Sequence, residues 1–102
     1  MSLIDFKEKD NLKLPNKKIL YFNSQFCAQC FGLKSKLENI SDKLQIPVYS
    51  INVNDNKNIS EKYNVQSLPY VLFVNGDKIF DYIIGNASED IIENKFKSFQ
   101  EI

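Results

Sequence analysis

The chain has 102 residues, 43% of them hydrophobic, with eight phenylalanines and five tyrosines, and its 13 basic and 13 acidic side chains cancel. That is the length of one domain, 1–102, able to bury roughly two-thirds of its unfolded surface and build a core without staples. A formal charge of zero lacks the basic footprint of a nucleic-acid binder, and every basic residue is a lysine, so bidentate arginine recognition of phosphate or carboxylate is absent. There is no histidine, which removes Cys-His and Ser-His nucleophilic catalysis. The usual zinc sets go with it, because two thiolates alone do not complete a tetrahedral site within one chain.

Residues 1–9 carry no basic segment followed by an apolar stretch, so no signal peptide is expected, and no segment approaches the length of a membrane span. The apolar patch at Leu3, Ile4 and Phe6 is expected to add a short strand or helix before Pro15-Asn16. Lys18 to Asn23 reads as a buried strand, apolar on consecutive positions as in a sheet covered on both faces. From Cys30 the apolar residues Cys30, Leu33, Leu37, Ile40 and Leu44 fall at steps of three and four, one face of an amphipathic helix. Ile46-Pro47 ends it, and Gly32 is a weak point inside it, at about 1 kcal/mol relative to alanine.

Val48 to Val53 reads as the next strand, and Asn54-Asp55-Asn56 as a turn capping a short helix through Tyr63. Tyr70 to Val74 is a third apolar run, and Asn75-Gly76 signals a hairpin into Lys78–Ile84. Ser88 caps a final helix with Glu89 and Asp90 in its positive first turn and Ile92, Phe96 and Phe99 along one side. The order β-α-β-α-β-β-α, with helical crossovers early and a hairpin late, predicts an α/β fold with a mixed four- to five-stranded sheet flanked by helices. Lysines 34, 36 and 43 read as a solvated helix face.

Cys27-Ala28-Gln29-Cys30 holds the chain's two cysteines, placed between the first buried strand and the first helix. A C-x-x-C at a strand-to-helix junction has the geometry of a reversible disulfide. Cys27, nearer the helix start, is expected to be the attacking thiolate, favoured by unpaired N–H groups and the positive end of the helix dipole. Cys30, over the same helical turn, is expected to be the resolving thiol.

From Lys18 onward the chain resembles the thioredoxin family. The resemblance is carried by Tyr21 to Cys30, with an aromatic residue before the first cysteine, by Asn52-Val53-Asn54, by Glu61 to Pro69, and by Gly85 after the last strand. It implies that Pro69 is cis and faces the disulfide, and that Phe26, Leu68 and Pro69 contact a bound peptide. The departures are as marked. Ala28-Gln29 replaces the family's usual Gly-Pro, and Phe26 its tryptophan. Tyr21 stands where typical members place a buried aspartate, and Ser50 where they place its lysine partner. Phe31 follows the second cysteine, where a basic residue is common, and Ser35 replaces a helix-kinking proline.

The resemblance implies a thiol–disulfide oxidoreductase that reduces protein disulfides, with no cofactor beyond its own redox-active disulfide. It would be recharged by a thioredoxin reductase or a low-molecular-weight thiol. A monomeric, cytoplasmic protein that binds neither nucleic acid nor membrane is expected, since thiols in that compartment are kept reduced and a disulfide there is more often catalytic than structural. The alternatives are a non-catalytic thioredoxin-fold binding module, and a metal or iron–sulfur site made by two chains. A glutaredoxin-like role fits less well, given Ala28-Gln29 and the lack of arginine.

Overall fold

The structure is a computed structural model that describes residues 3–9 and 14–102. Five strands form one mixed sheet in the order β1-β3-β2-β4-β5. Of the short strand or helix expected near the N-terminus, the structure has a strand, β1 (Leu3–Asp5), and it pairs in parallel with β3 (Val48–Asn52). The central strand β2 (Lys17–Asn23) runs parallel to β3 and antiparallel to β4 (Tyr70–Asn75), which forms a hairpin with β5 (Lys78–Ile84).

The consecutive apolar run of β2 has a direct cause. Ile19 and Tyr21 join the core beneath helices α1 (Ala28–Leu44) and α3 (Glu89–Gln100), whereas Leu20 and Phe22 join a second core that also holds Ile59 of α2 (Lys57–Lys62). Successive side chains point to opposite faces, so a strand buried on both has no polar alternation to show. Phe73 of β4 anchors the larger core, with the rings of Phe96 and Phe99 edge-on to it, both at 5.5 Å.

Helix α1 buries Cys30, Leu33, Leu37 and Ile40, the stripe expected from the spacing. It stops at Gln45, which adopts a left-handed conformation (φ 56°), so that the Ile46 N–H reaches back to the Ser41 carbonyl at 3.1 Å. The Ser41 hydroxyl, fully buried, donates to the Ile46 carbonyl. The stop is therefore a left-handed cap one residue before Ile46-Pro47.

One local expectation is corrected, and the expected hairpin into Lys78–Ile84 forms with its own turn register. The Asn56 side chain does not cap α2; it donates to the Asn52 carbonyl at 3.0 Å, and Glu8 instead accepts from the Asn58 N–H at 2.7 Å. Because Asn75 pairs with Lys78, the two-residue turn is Gly76-Asp77, one position later than an Asn-Gly turn, with Gly76 at φ 64°. Glycine at the first central position suits a hairpin twist as well as Asn-Gly does, so the dipeptide alone does not fix the register. The Ser88 hydroxyl accepts from the Ile91 N–H, as its position predicts.

Candidate functional site: the Cys27–Cys30 disulfide and the loops around it

Cys27 is the N-cap of α1 and is joined to Cys30 as a disulfide, their Cα atoms 5.4 Å apart. The loop that delivers Cys27 from β2 is held by hydrogen bonds from several directions. The Asn23 carbonyl accepts from Val53 N–H at 3.0 Å, and the Asn23 side chain donates to the Ser50 hydroxyl at 3.0 Å. The Ser24 carbonyl accepts from Cys27 N–H, and its hydroxyl accepts from Phe26 N–H and the Asn54 amide, each at 3.2 Å. Short polar residues thus turn the chain from strand to helix by bonding its own backbone.

The two sulfurs sit in different surroundings. Cys27 is half-buried, whereas Cys30 is only 4% exposed. No acidic side chain occupies the first turn of α1, so the partial positive charge at that end is uncompensated beside Cys27. A helix end of this kind favours negative charge placed beside it. Cys27 is thus the outer residue of the pair and Cys30 the inner one.

Beneath Cys30 lies an open cleft of about 210 Å³, lined by Tyr21, Asn23, Ser50, Phe31 and Lys34 among others. Tyr21 is 1% exposed and donates its hydroxyl to the Cys30 carbonyl at 2.9 Å. Burial, aided by the negative charge of Glu38, pushes its pKa up to about 12. Tyr21 therefore acts here as a neutral donor to the first turn of α1. Its position stands out in the sequence and its partner does not; a buried tyrosine's need to bond its hydroxyl is the available signal.

The Leu68–Pro69 peptide bond is cis. Tyr70 stands opposite Phe22 near the end of β2, so Pro69 lies beside the strand that leads to the cysteines. Pro69 is buried, Leu68 is half-buried, and the Pro69 carbonyl accepts from Gly85 N–H at 2.9 Å. Gly85 in turn faces the Gln29 side chain, whose Oε1 would be 3.9 Å from a Cβ there. The cysteine loop, the proline loop and the β5–α3 turn thus meet on one end of the sheet. Phe26 is 81% exposed and Phe31 68% exposed, so both are rim rather than core.

The solvated face expected for the lysines of α1 holds only in part. Lys43 pairs with Glu93 of α3 at 3.1 Å, and Lys36 is half-buried, its ammonium donating to Asn86 Oδ1 at 3.0 Å and to the Ala87 carbonyl at 2.9 Å. Both partners come from α3 or the turn before it, which pack beside α1 across a separation that helical periodicity does not register. Among the described residues no group of three or more His, Cys, Asp or Glu is placed to hold a metal ion, and no helix is long and apolar enough to cross a membrane.

A C-x-x-C disulfide at a helix N-terminus, with a cis-proline at the start of the strand next to the one that leads to it, on a mixed five-stranded sheet, defines the thioredoxin class of thiol–disulfide oxidoreductases. The chain belongs to the thioredoxin family, whose sequence model, described as Thioredoxin, matches residues 5–98. It is 32% identical over 83 residues to a thioredoxin of Borreliella burgdorferi, a match covering 79% of this chain and 71% of that protein. To a thioredoxin of Chlorobaculum thiosulfatiphilum it is 28% identical over 76 residues, covering 72% of this chain and 70% of the other. The solved structure of a mutant thioredoxin from Halobacterium salinarum superposes with a TM-score of 0.85 at 18% identity, over 99% of this chain and 93% of that one, and so shares the fold.

Proposed function

We propose that the protein reduces disulfides in other proteins by dithiol–disulfide exchange, with Cys27 as nucleophile and Cys30 as resolving thiol. The observation that carries this reading is the asymmetry of the pair: Cys27 caps α1 and is half-buried, whereas Cys30 is 4% exposed. The Cys27 thiolate attacks one sulfur of the partner disulfide and releases the other as thiolate, leaving a mixed disulfide. Cys30, losing its proton, then attacks the Cys27 sulfur, and the partner's second sulfur departs and takes up a proton. The partner gains two electrons and two protons, and the Cys27–Cys30 pair is oxidised. Tyr21 stays protonated at working pH, so the proton of Cys30 leaves to water in the cleft rather than to a side chain at that position.

The substrate is an extended protein segment. Phe26 and Leu68 give it apolar contact, and the backbone at Leu68–Pro69 pairs with it as an added strand. No cofactor beyond the disulfide takes part, and a thioredoxin reductase or a low-molecular-weight thiol returns the electrons. A reductant of this kind belongs in a reducing compartment, and we assign it, as a monomer, to the cytoplasm.

Reduction of insulin with dithiothreitol as electron donor is the test: a rate above the uncatalysed background is expected. No such rate from the folded protein would favour the binding module. The midpoint potential sets the direction, a value near about −270 mV marking a reductant and one above about −200 mV an oxidant or isomerase.

A further inference from the structure

Helix α1 presents one stripe to the β5–α3 turn. Gln29, Gly32 and Lys36 stand at spacings of three and four, so they share a helix face. Each meets the turn in order. Gln29 faces Gly85, Gly32 faces Asn86, and Lys36 binds both the Asn86 side chain and the Ala87 carbonyl. At Gly32 the approach is too close for any other residue without displacement: an added Cβ would lie 2.8 Å from Asn86 Nδ2. The glycine that weakens the helix is thus what admits the Asn86 amide, and the Lys36 ammonium at 3.0 Å holds that amide in place. Gly85, at the other end of the turn, donates to the Pro69 carbonyl at 2.9 Å. A continuous line of contacts therefore runs from Lys36 through Asn86 and Gly85 to Pro69.

We propose that Lys36 and Asn86 are positioning residues of the substrate groove: they clamp Gly85–Ala87 onto α1 and so fix the cis-proline loop beside Gln29 and the disulfide. This rests on the reading that extended protein disulfides bind along Leu68–Pro69. The clamp is made of side chains that touch neither sulfur. Its loss loosens the groove without altering the chemistry of the pair. A protein substrate that pairs with the loop feels the change, and a small disulfide that only meets Cys27 does not.

The experiment compares wild type, Lys36→Met and Gly32→Ala in insulin reduction, in reaction with dithiobis(nitrobenzoate), and in amide exchange at Gly85. For Lys36→Met the KM for insulin is expected to rise about fivefold, the scale of one ordinary hydrogen bond, because the clamp acts on the groove indirectly, with kcat unchanged. The rate with dithiobis(nitrobenzoate) stays that of wild type, and Gly85 N–H exchanges faster. Gly32→Ala raises helix propensity yet displaces Asn86, so it is expected to raise the same KM without lowering the melting temperature, which a merely stabilising role would not predict. Equal rises for both disulfides, or an unchanged insulin KM in an active enzyme, would overturn the proposal. If wild type reduces neither disulfide, the oxidoreductase reading falls, and the clamp is decided by exchange at Gly85, where an unchanged rate overturns it.

Discussion

The Tyr21 hydroxyl donates to the Cys30 carbonyl at 2.9 Å, tying the middle of the central strand to the first turn of the helix that carries both cysteines. The bond puts a neutral donor in the position where a typical family member carries a buried carboxylate. It couples the sheet to the active-site turn by geometry alone, with no buried charge to titrate near neutrality.

Tyr21→Phe should therefore destabilise the fold by about 1 kcal/mol, one buried hydrogen bond, and leave its alkaline behaviour altered. The folded pKa of Tyr21 is raised from 10.0 to about 12, so the folded state holds a proton that the unfolded state releases. That contribution is complete below pH 10 and declines as pH rises toward 12. Urea unfolding at pH 8, 10 and 11 should show the wild type losing stability faster than Tyr21→Phe. Parallel slopes would show that the tyrosine is not held as described.

The roles of the two cysteines separate by trapping. With Cys30→Ser, a reduced sample mixed with a disulfide-bearing protein should accumulate a covalent adduct through Cys27, stable to gel electrophoresis without reductant. Cys27→Ser should yield far less adduct, because the remaining thiol is buried. Both variants should fall to background in insulin reduction. Equal trapping by both would reverse or abolish the assignment.

Phe26 separates function from stability. Its ring is 81% exposed, so Phe26→Ala should change unfolding free energy by no more than about 0.5 kcal/mol. If the ring meets the substrate, the same change should raise the KM for insulin about fivefold, the lower range for an aromatic interface contact. An unaltered KM would remove Phe26 from the binding surface.

Glu93 joins α1 to α3, accepting from Lys43 at 3.1 Å and from Lys97 at 3.0 Å. Hydrogen bonds from Lys97 and then Lys43 hold its carboxyl below the ordinary 4.5. The stabilisation is present above the unfolded value and disappears as pH falls through the folded one. Glu93→Gln should flatten the acid limb of a stability–pH curve below about pH 5, and the difference from wild type should shrink in high salt. A salt-independent difference would point to packing instead of charge.

Much of the site could be read directly from the residues. Cys27 and Cys30 declare themselves by spacing and position, and Pro69 with Leu68 follows from the family pattern around Glu61 to Pro69. Phe26 is legible as an aromatic preceding the first cysteine, though only the fold shows it exposed. What went unread was the support. Gly32 reads as a defect in a helix, and Lys36 as one solvated lysine among three, because their reason lies 50 or more positions away at Asn86 and Ala87.

Local sequence determined the elements and which faces they bury: the two-sided apolar run of β2, the stripe of α1, the Ser88 cap of α3 and the C-x-x-C at the strand-to-helix junction. These depend on steps of one to four residues, which a periodic pattern records directly. Only the tertiary structure decided the partners. The hydroxyl of Tyr21 on Cys30, the Gly76-Asp77 register of the hairpin and the Lys36–Asn86 bond all depend on how the sheet order β1-β3-β2-β4-β5 brings distant segments together. Hydrophobic patterning fixes that a side chain faces inward; which atom it meets there is set by the closure of the whole fold.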